Sequence, residues 1–141
     1  MTPMTPASIV ETIDPDTPVH AVDAAPFIGT WLSTNRDTQG IAKLVVRLDH
    51  DGLRMCAFGV GVSSLCEWGE VEAQVFADSA ISRMGHAFRA VVDLGFKETI
   101  LQAKVKKGVL VVANFNRFKD GSRRASYFSR EFFYREVSHE S

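Results

Sequence analysis

The sequence predicts an all-β protein that forms a single antiparallel, up-and-down barrel of eight strands behind an N-terminal arm. Three observations support this prediction. Short runs of β-branched and aromatic residues follow one another after Pro26, separated by Gly, Asp, Asn and Ser. All 5 prolines lie at or before Pro26, so none interrupts a strand ladder downstream. Turn-forming residues between the runs favour pairing of neighbouring strands.

The first 26 residues are expected to form an arm, because they are rich in Thr, Pro, Ala and Asp and have no sustained hydrophobic period. We expect this arm to be disordered or loosely docked. The barrel domain is expected over residues 27–137, followed by a short tail, 138–141. A chain of 141 residues fits one domain that can bury enough apolar surface to fold without disulfides or metals.

The eight strands are justified by alternation within each run and by the turns between runs. Their expected ranges are 28–34, 41–49, 53–60, 68–77, 86–95, 98–107, 109–118 and 125–135. Segments 49–52, 106–108 and 119–122 have the Asp and Gly composition of tight turns. Segment 78–84 carries the one helical signal, which predicts a single short turn of helix.

Alternation also assigns an inner face to several strands. On the second strand Lys43 and Arg47 must face water, so their neighbours point inward. The residues expected to face inward are Ala42, Leu44, Val46, Leu48, Phe88, Ala90, Val92, Leu94, Leu101, Ala103 and Val105. The last two strands are apolar on both faces, which indicates that the arm, a helix or a second subunit covers their outer side.

The segment Phe27-Ile28-Gly29-Thr30-Trp31 opens the first strand and resembles the Gly-x-Trp opening of lipocalins and other calycin barrels. The resemblance implies an eight-stranded barrel in which Trp31 closes one end. It also implies that Trp31 packs against an arginine of the last strand, here Arg130 or Arg135.

Segments 40–44, 65–69 and 120–124 resemble a group of uncharacterised small bacterial proteins with a Cys-Asp-Trp-Gly signature, usually preceded by another Cys. In this sequence Glu67 replaces the Asp, and Gly61 stands where the earlier Cys would fall. The resemblance therefore implies no paired-cysteine role for Cys66. The resemblance implies a fold and no activity.

Composition argues against several functional classes. A net charge of −1 does not predict binding to nucleic acid or to a membrane surface. No apolar stretch is long enough for a membrane helix and no signal peptide is recognisable, which predicts a cytoplasmic protein. The four His residues are dispersed and no phosphate-binding motif is present, so we expect neither a metal nor a cofactor. Cys56 and Cys66 are interpreted as two buried thiols.

Candidate acid–base residues are few. Glu70 and Glu72 share a strand face with Trp68, and we interpret that face as solvent-facing; the opposite register would put both carboxylates in an apolar cavity. His86 could face the lumen as an acid or base, but we interpret it as a structural histidine at the start of a strand. The candidate catalytic residues are Glu70, Glu72, His86 and Tyr127.

The last two strands mix aromatic rings with hydrogen-bonding side chains, including Asn114, Asn116 and Glu131. Such a mixture is typical of ligand pockets, but it would also result if the rings filled the barrel and an Arg–Glu pair joined adjacent strands. The residues expected to bind a ligand are Trp31, Phe115, Arg117, Tyr127, Phe128, Arg130, Phe132 and Tyr134.

The leading functional hypothesis is a barrel that holds a small, largely apolar molecule in its lumen, since eight strands enclose room for one such guest. One alternative is a cofactor-free cyclase or isomerase similar to the allene-oxide-cyclase and bacterial polyketide-cyclase barrels, in which the lumen positions a reactive chain. Another is a homodimeric interaction module with a solid core and an aromatic interface. The sequence leaves all three open, and with them the choice between a binding protein and an enzyme.

Overall fold

Residues 22–137 of the computed structural model form a closed barrel of eight antiparallel strands. The strands are β1 (Gly29–Ser33), β2 (Ile41–Asp49), β3 (Gly52–Val60), β4 (Leu65–Ala77), β5 (Gly85–Asp93), β6 (Lys97–Lys106), β7 (Val109–Phe118) and β8 (Tyr127–Arg135). Each strand pairs with the next one along the chain, and β1 pairs with β8 to close the sheet. The predicted fold class is therefore confirmed. Most of the expected arm and the tail lie outside the described residues.

The connections alternate between two ends of the barrel. The upper end carries the segments 34–40, 61–64, 94–96 and 119–126. The lower end carries the turns 50–51, 78–84 and 107–108, together with residues 22–28. Within the latter, a short 3-10 helix, Ala25–Phe27, lies against the start of β5, and the Phe27 ring meets Phe88 edge-on with ring centroids 5.2 Å apart.

The lower and middle parts of the interior are filled by side chains. The largest fully buried ones are Trp31, Phe27, Phe88, Phe133, Ile41, Leu44, Met55, Leu101 and Leu110. An eight-stranded barrel is just wide enough for its own side chains to fill, and each large apolar side chain buried there contributes about 1.5–3 kcal/mol. Most of the barrel is thus a packed core.

The inward positions predicted for β5 and β6 are confirmed, since Phe88, Ala90, Val92, Leu101 and Ala103 are buried, and the flanking Leu94 and Val105 pack against this core while partly buried. On β2 the prediction holds only for the middle of the strand, where Leu44 and Val46 are buried.

At the two ends of β2 the prediction is wrong. An irregularity in the β2–β3 register between Ile41 and Lys43 makes Ile41 the buried residue instead of Ala42. Leu48 lies at the lower rim, where the wall stops enclosing the interior, and is 55% exposed.

Two further predictions are corrected. Segment 78–84 forms bends and one turn without a helix: the Ser82 N–H donates to the Ser79 carbonyl at 3.3 Å, and the Arg83 carbonyl accepts from the Asp23 N–H at 2.6 Å. Cys56 is a buried free thiol, and burial raises its pKa. Cys66 is exposed instead of buried, since it lies at the upper end of β4 beside the loop 61–64.

Arg135 joins the two strands that close the barrel. Its guanidinium lies 4.5 Å from the centre of the Trp31 ring and donates hydrogen bonds to the backbone carbonyls of Pro26 and Ile28. The Trp31 indole N–H donates to the last carbonyl of the 3-10 helix at 2.9 Å. These contacts are compatible with a calycin-like barrel, and they identify Arg135 as the arginine beside Trp31.

Substitution of Arg135 tests this closure. Arg135→Met keeps the aliphatic stem but removes the ring contact and two charged hydrogen bonds, so we expect a loss of about 1–2 kcal/mol in the free energy of unfolding. Urea unfolding followed by tryptophan fluorescence measures it. The matched control, Arg123→Met on the exposed upper loop, should change stability by less than about 0.5 kcal/mol. Equal effects of the two substitutions would contradict a special role for Arg135.

Candidate functional site

The upper part of the interior is polar, in contrast to the packed core below it. Thr99, Asn114 and Asn116 are buried there. They are neighbours because the β6–β7 register pairs Thr99 with Asn116, and the β7–β8 register pairs Asn114 with Ser129. The Thr99 hydroxyl donates to Asn116 Oδ1 at 2.7 Å. The inner face of these three strands therefore changes from apolar to polar toward the upper end.

Glu131 on β8 is held in one orientation by two donors. Thr38, which is buried in the upper loop 34–40, donates its hydroxyl proton to Glu131 Oε2 at 2.7 Å. Asn114 Nδ2 donates to Glu131 Oε1 at 3.0 Å. Among residues 22–137, no cationic side chain forms an ion pair with this carboxylate. Its negative charge is therefore balanced by hydrogen bonds alone.

Asn114 carries an unused acceptor. Its amide nitrogen must face Glu131, because an ionised carboxylate only accepts hydrogen bonds, so the orientation of the amide is determined. Its Oδ1 is then buried without a hydrogen-bond partner among the described residues, and the side chain is only 3% exposed. A buried unsatisfied acceptor costs about 1–3 kcal/mol. The oxygen is closed off from water, so this cost falls within the wall beside the cavity.

Lys97 opens β6 at the upper end and points over the ring of Trp68, with its Nζ 5.0 Å from the ring centre. The side chain is partly buried, and no carboxylate among residues 22–137 forms an ion pair with it. Burial lowers the pKa of Lys97, and the nearby cation of Arg124 lowers the pKa further. The folded protein thus keeps a costly positive charge in this part of the interior.

The predicted face of Trp68 is wrong because of a bulge. Trp68 and Gly69 together oppose the single residue between Cys56 and Phe58, and Gly69 adopts a φ of +98°, which favours glycine. The extra residue turns the Trp68 indole inward. A Cβ at Gly59 would come within 2.7 Å of the indole nitrogen, so the absence of a side chain there makes room for the ring.

These residues surround a cavity of about 180 Å³ that opens at the upper end. Since one water occupies about 30 Å³ in the liquid, the cavity has room for about six waters or a molecule of similar size. Its lining residues are Gln39, Gly40, Ile41, Gly59, Val60, Trp68, Lys97, Asn114, Asn116, Tyr127, Ser129 and Glu131. We call this space the upper cavity.

A larger hollow, of about 860 Å³, lies on the side of β4 and β5 toward the lower end. It is lined both by inward-facing residues of β4, such as Val71 and Ala73, and by the outward-facing Glu72. It is therefore lined by both faces of the barrel wall, whereas the upper cavity is lined by residues that face the lumen. Its charged side chains are exposed and it contains no buried polar group among its lining residues, so it lacks the convergent polar chemistry of a binding site.

The structure does not bring the eight expected ligand-binding residues together. Trp31 is buried in the lower core, and Tyr127 alone of the eight lines the upper cavity. The other six alternate with the inward residues of β7 and β8 and lie on the outer wall: Phe115, Arg117, Phe128, Arg130, Phe132 and Tyr134. The expectation that all eight residues surround one lumen is wrong, because the side chains of these six point outward.

Three of the four candidate acid–base residues lie away from the lumen. Glu70 faces outward and accepts two hydrogen bonds of 2.6 Å from Arg47, which hold the pKa of Glu70 below its usual range. Glu72 is exposed on the same outer face, as interpreted from the sequence. His86 is the extra residue of a β4–β5 bulge and is exposed, whereas Tyr127 reaches the upper cavity.

Sequence reasoning missed Lys97, Trp68, Thr38 and Ser129 as site residues, and it noted Asn114, Asn116 and Glu131 without assigning them to a site. One signal was present. If Leu110 and Val112 of β7 are taken as inward, the same parity continues to Asn114 and Asn116, which marks a polar end of the lumen. The apolar residues on the opposite parity of β7 concealed this signal.

No protein-family model matches the chain, and no curated protein sequence is similar to it. Within residues 22–137, no three His, Cys, Asp or Glu side chains cluster as metal ligands, and no helix has the length and apolar character needed to cross a membrane. The function is therefore argued from the upper cavity itself.

Removal of the Lys97 charge should stabilise the protein. Because burial lowers the pKa of Lys97 in the folded state, protonation costs stability at neutral pH, and the cost disappears as the pH rises to the ordinary lysine pKa. Lys97→Met should therefore unfold at higher urea than the wild type at pH 7, and the difference should narrow toward pH 10. Lys104→Met, on the exposed outer face of the same strand, should show no such pH-dependent difference. A difference in urea midpoint between Lys97→Met and the wild type that does not change with pH would contradict this explanation.

Proposed function

We propose that this protein is a small-molecule-binding barrel whose upper cavity takes a compact polar molecule carrying an anionic group. The observation that carries the proposal is the partly buried, unpaired cation of Lys97 on the wall of that cavity. A buried charge without a partner is unfavourable for folding. Its retention is explained if an anion of the ligand completes the pair.

The surroundings of Lys97 support this proposal. The Trp68 ring provides a flat wall beside the ammonium group, and Tyr127 lines the same cavity. Arg124 stacks over Phe118 at 4.1 Å, but its charge is paired with Asp120 at 2.7 Å, so it does not add a second unpaired cation at the upper rim. A few convergent polar groups in a small concave space are the usual composition of a ligand site.

A largely apolar guest would need an apolar space, and the apolar part of the interior is occupied by the core residues. The geometry therefore favours a polar ligand over the apolar one expected from the sequence. A cofactor-free cyclase or isomerase would use the same site, with Tyr127 and Glu131, which both line the cavity, as its proton-transferring groups.

Anion binding can be measured with the protein's own tryptophans. Titration with acetate, butyrate and inorganic phosphate should change the emission of Trp68, and at least one of the three should show saturable binding. Lys97→Met should weaken that binding about tenfold or more, because a charge-assisted hydrogen bond contributes about 1.5–3 kcal/mol. Lys104→Met should bind as the wild type does. Saturable binding that Lys97→Met leaves unchanged, or no binding of any of the three, would refute the proposed site.

We also propose that the protein pairs with a second copy of itself through the outer face of β7 and β8. Four aromatic side chains on this face are 42–56% exposed: Phe115, Phe128, Phe132 and Tyr134. Contiguous exposed apolar patches of this kind mark interaction surfaces. Two hollows of about 310 and 350 Å³ lie beside these rings. Rings and hollows on one face are self-complementary, as a twofold interface requires.

Sedimentation analysis tests this pairing. The wild type should sediment as a dimer, and the double substitution Phe128→Ser with Phe132→Ser should sediment as a monomer at the same concentration. Ile81→Ser, which removes an even more exposed apolar residue from the lower turn, should remain dimeric. If the wild type is still a monomer at about 100 μM, which is about 100 times a micromolar dissociation constant, a stable dimer is excluded.

A further inference from the structure

The upper cavity has two chemically opposite poles. Lys97 contributes a cation, while Glu131 contributes an anion, and both line the same space. They do not pair with each other, nor with any other charged side chain among residues 22–137. Two opposite charges that share a small cavity without meeting leave room for a molecule that contacts both.

The pole around Glu131 accepts hydrogen bonds. The carboxylate already receives protons from Thr38 and Asn114, which hold it in place and leave its remaining lone pairs available. An ammonium group has three N–H donors and no acceptor, so it matches this carboxylate.

The pole around Lys97 donates hydrogen bonds. The Lys97 ammonium has three donors and no acceptor, and Tyr127 of β8 lines the same cavity. A carboxylate accepts at two oxygens and matches this end. The two poles lie on different strands of the wall, Lys97 on β6 and Glu131 on β8, with β7 between them.

We infer that the upper cavity binds a small zwitterion, with its ammonium group directed toward Glu131 and its carboxylate directed toward Lys97. This inference rests on the proposed function, since it assigns the anion of that ligand and adds the opposite charge. The volume of about 180 Å³ limits the ligand to the size of a small amino acid. The neutral lining between the poles, Asn116 and Ser129, can solvate either end.

The test compares zwitterions with matched single-charge molecules on the full chain. The probes are glycine, β-alanine and γ-aminobutyrate, which increase the distance between the charges, together with butyrate and butylamine. Binding is followed by Trp68 emission and by calorimetry. One of the three amino acids should bind at least tenfold more tightly than both butyrate and butylamine, and the preferred chain length reports the separation of the two poles.

Variants separate the two poles. Glu131→Gln should abolish the preference for the amino acid over butyrate, while Lys97→Met should abolish its preference over butylamine. Glu136→Gln, an exposed carboxylate just after β8, is the matched control and should change neither preference. Near-ultraviolet circular dichroism verifies that each variant keeps its tertiary packing.

The outcomes distinguish this inference from the function on which it rests. If butyrate binds as tightly as every amino acid and Glu131→Gln has no effect on relative affinity, the zwitterion is refuted while anion binding stands. If butylamine binds best, the carboxylate contact with Lys97 is refuted. If none of the five probes binds, both the inference and the proposed function fail.

Discussion

Closure of β1 against β8 is the constraint on which the rest of the molecule depends, because only a closed sheet has an inside. Arg135 connects the three elements that meet at this seam: the 3-10 helix, β1 and β8. Trp31 fills the interior directly beneath it. Closure at this seam therefore gives each strand an enclosed face and a solvent face, and it defines the lumen.

Within the enclosed space the chain divides its side chains by height. The lower and middle levels contain large apolar groups, which supply the hydrophobic free energy of folding. The upper level contains amides, hydroxyls, a carboxylate and an ammonium group that the packing does not need. A natural protein that keeps unsatisfied polar groups at one place usually sacrifices stability there for function. This division allows a barrel this small to be firmly packed at its lower and middle levels and to keep a polar cavity at its upper level.

The fold could be predicted from the sequence because its determinants are local. Alternation along β5 and β6, and turns rich in Asp and Gly, act over a few residues and need no knowledge of distant contacts. The site could not be predicted to the same extent. Bulges at Ile41, Gly69 and His86 each shift the inward parity by one residue without a strong local signal. On β7 and β8 both faces are apolar or aromatic, so that the ring-rich outer wall was mistaken for the lining of a pocket.

Apart from the seam, each strand of this barrel pairs with its immediate neighbours along the chain. Hairpins of this kind assemble from nearby residues, whereas β1 and β8 meet only after about a hundred residues have been ordered between them. During synthesis β8 emerges last, and until then the long, apolar β7 presents an unpaired edge to its surroundings. Such edges join readily to those of other chains. A chain cut before Tyr127 would thus lose more than its final strand, since it would remain an open and adhesive sheet.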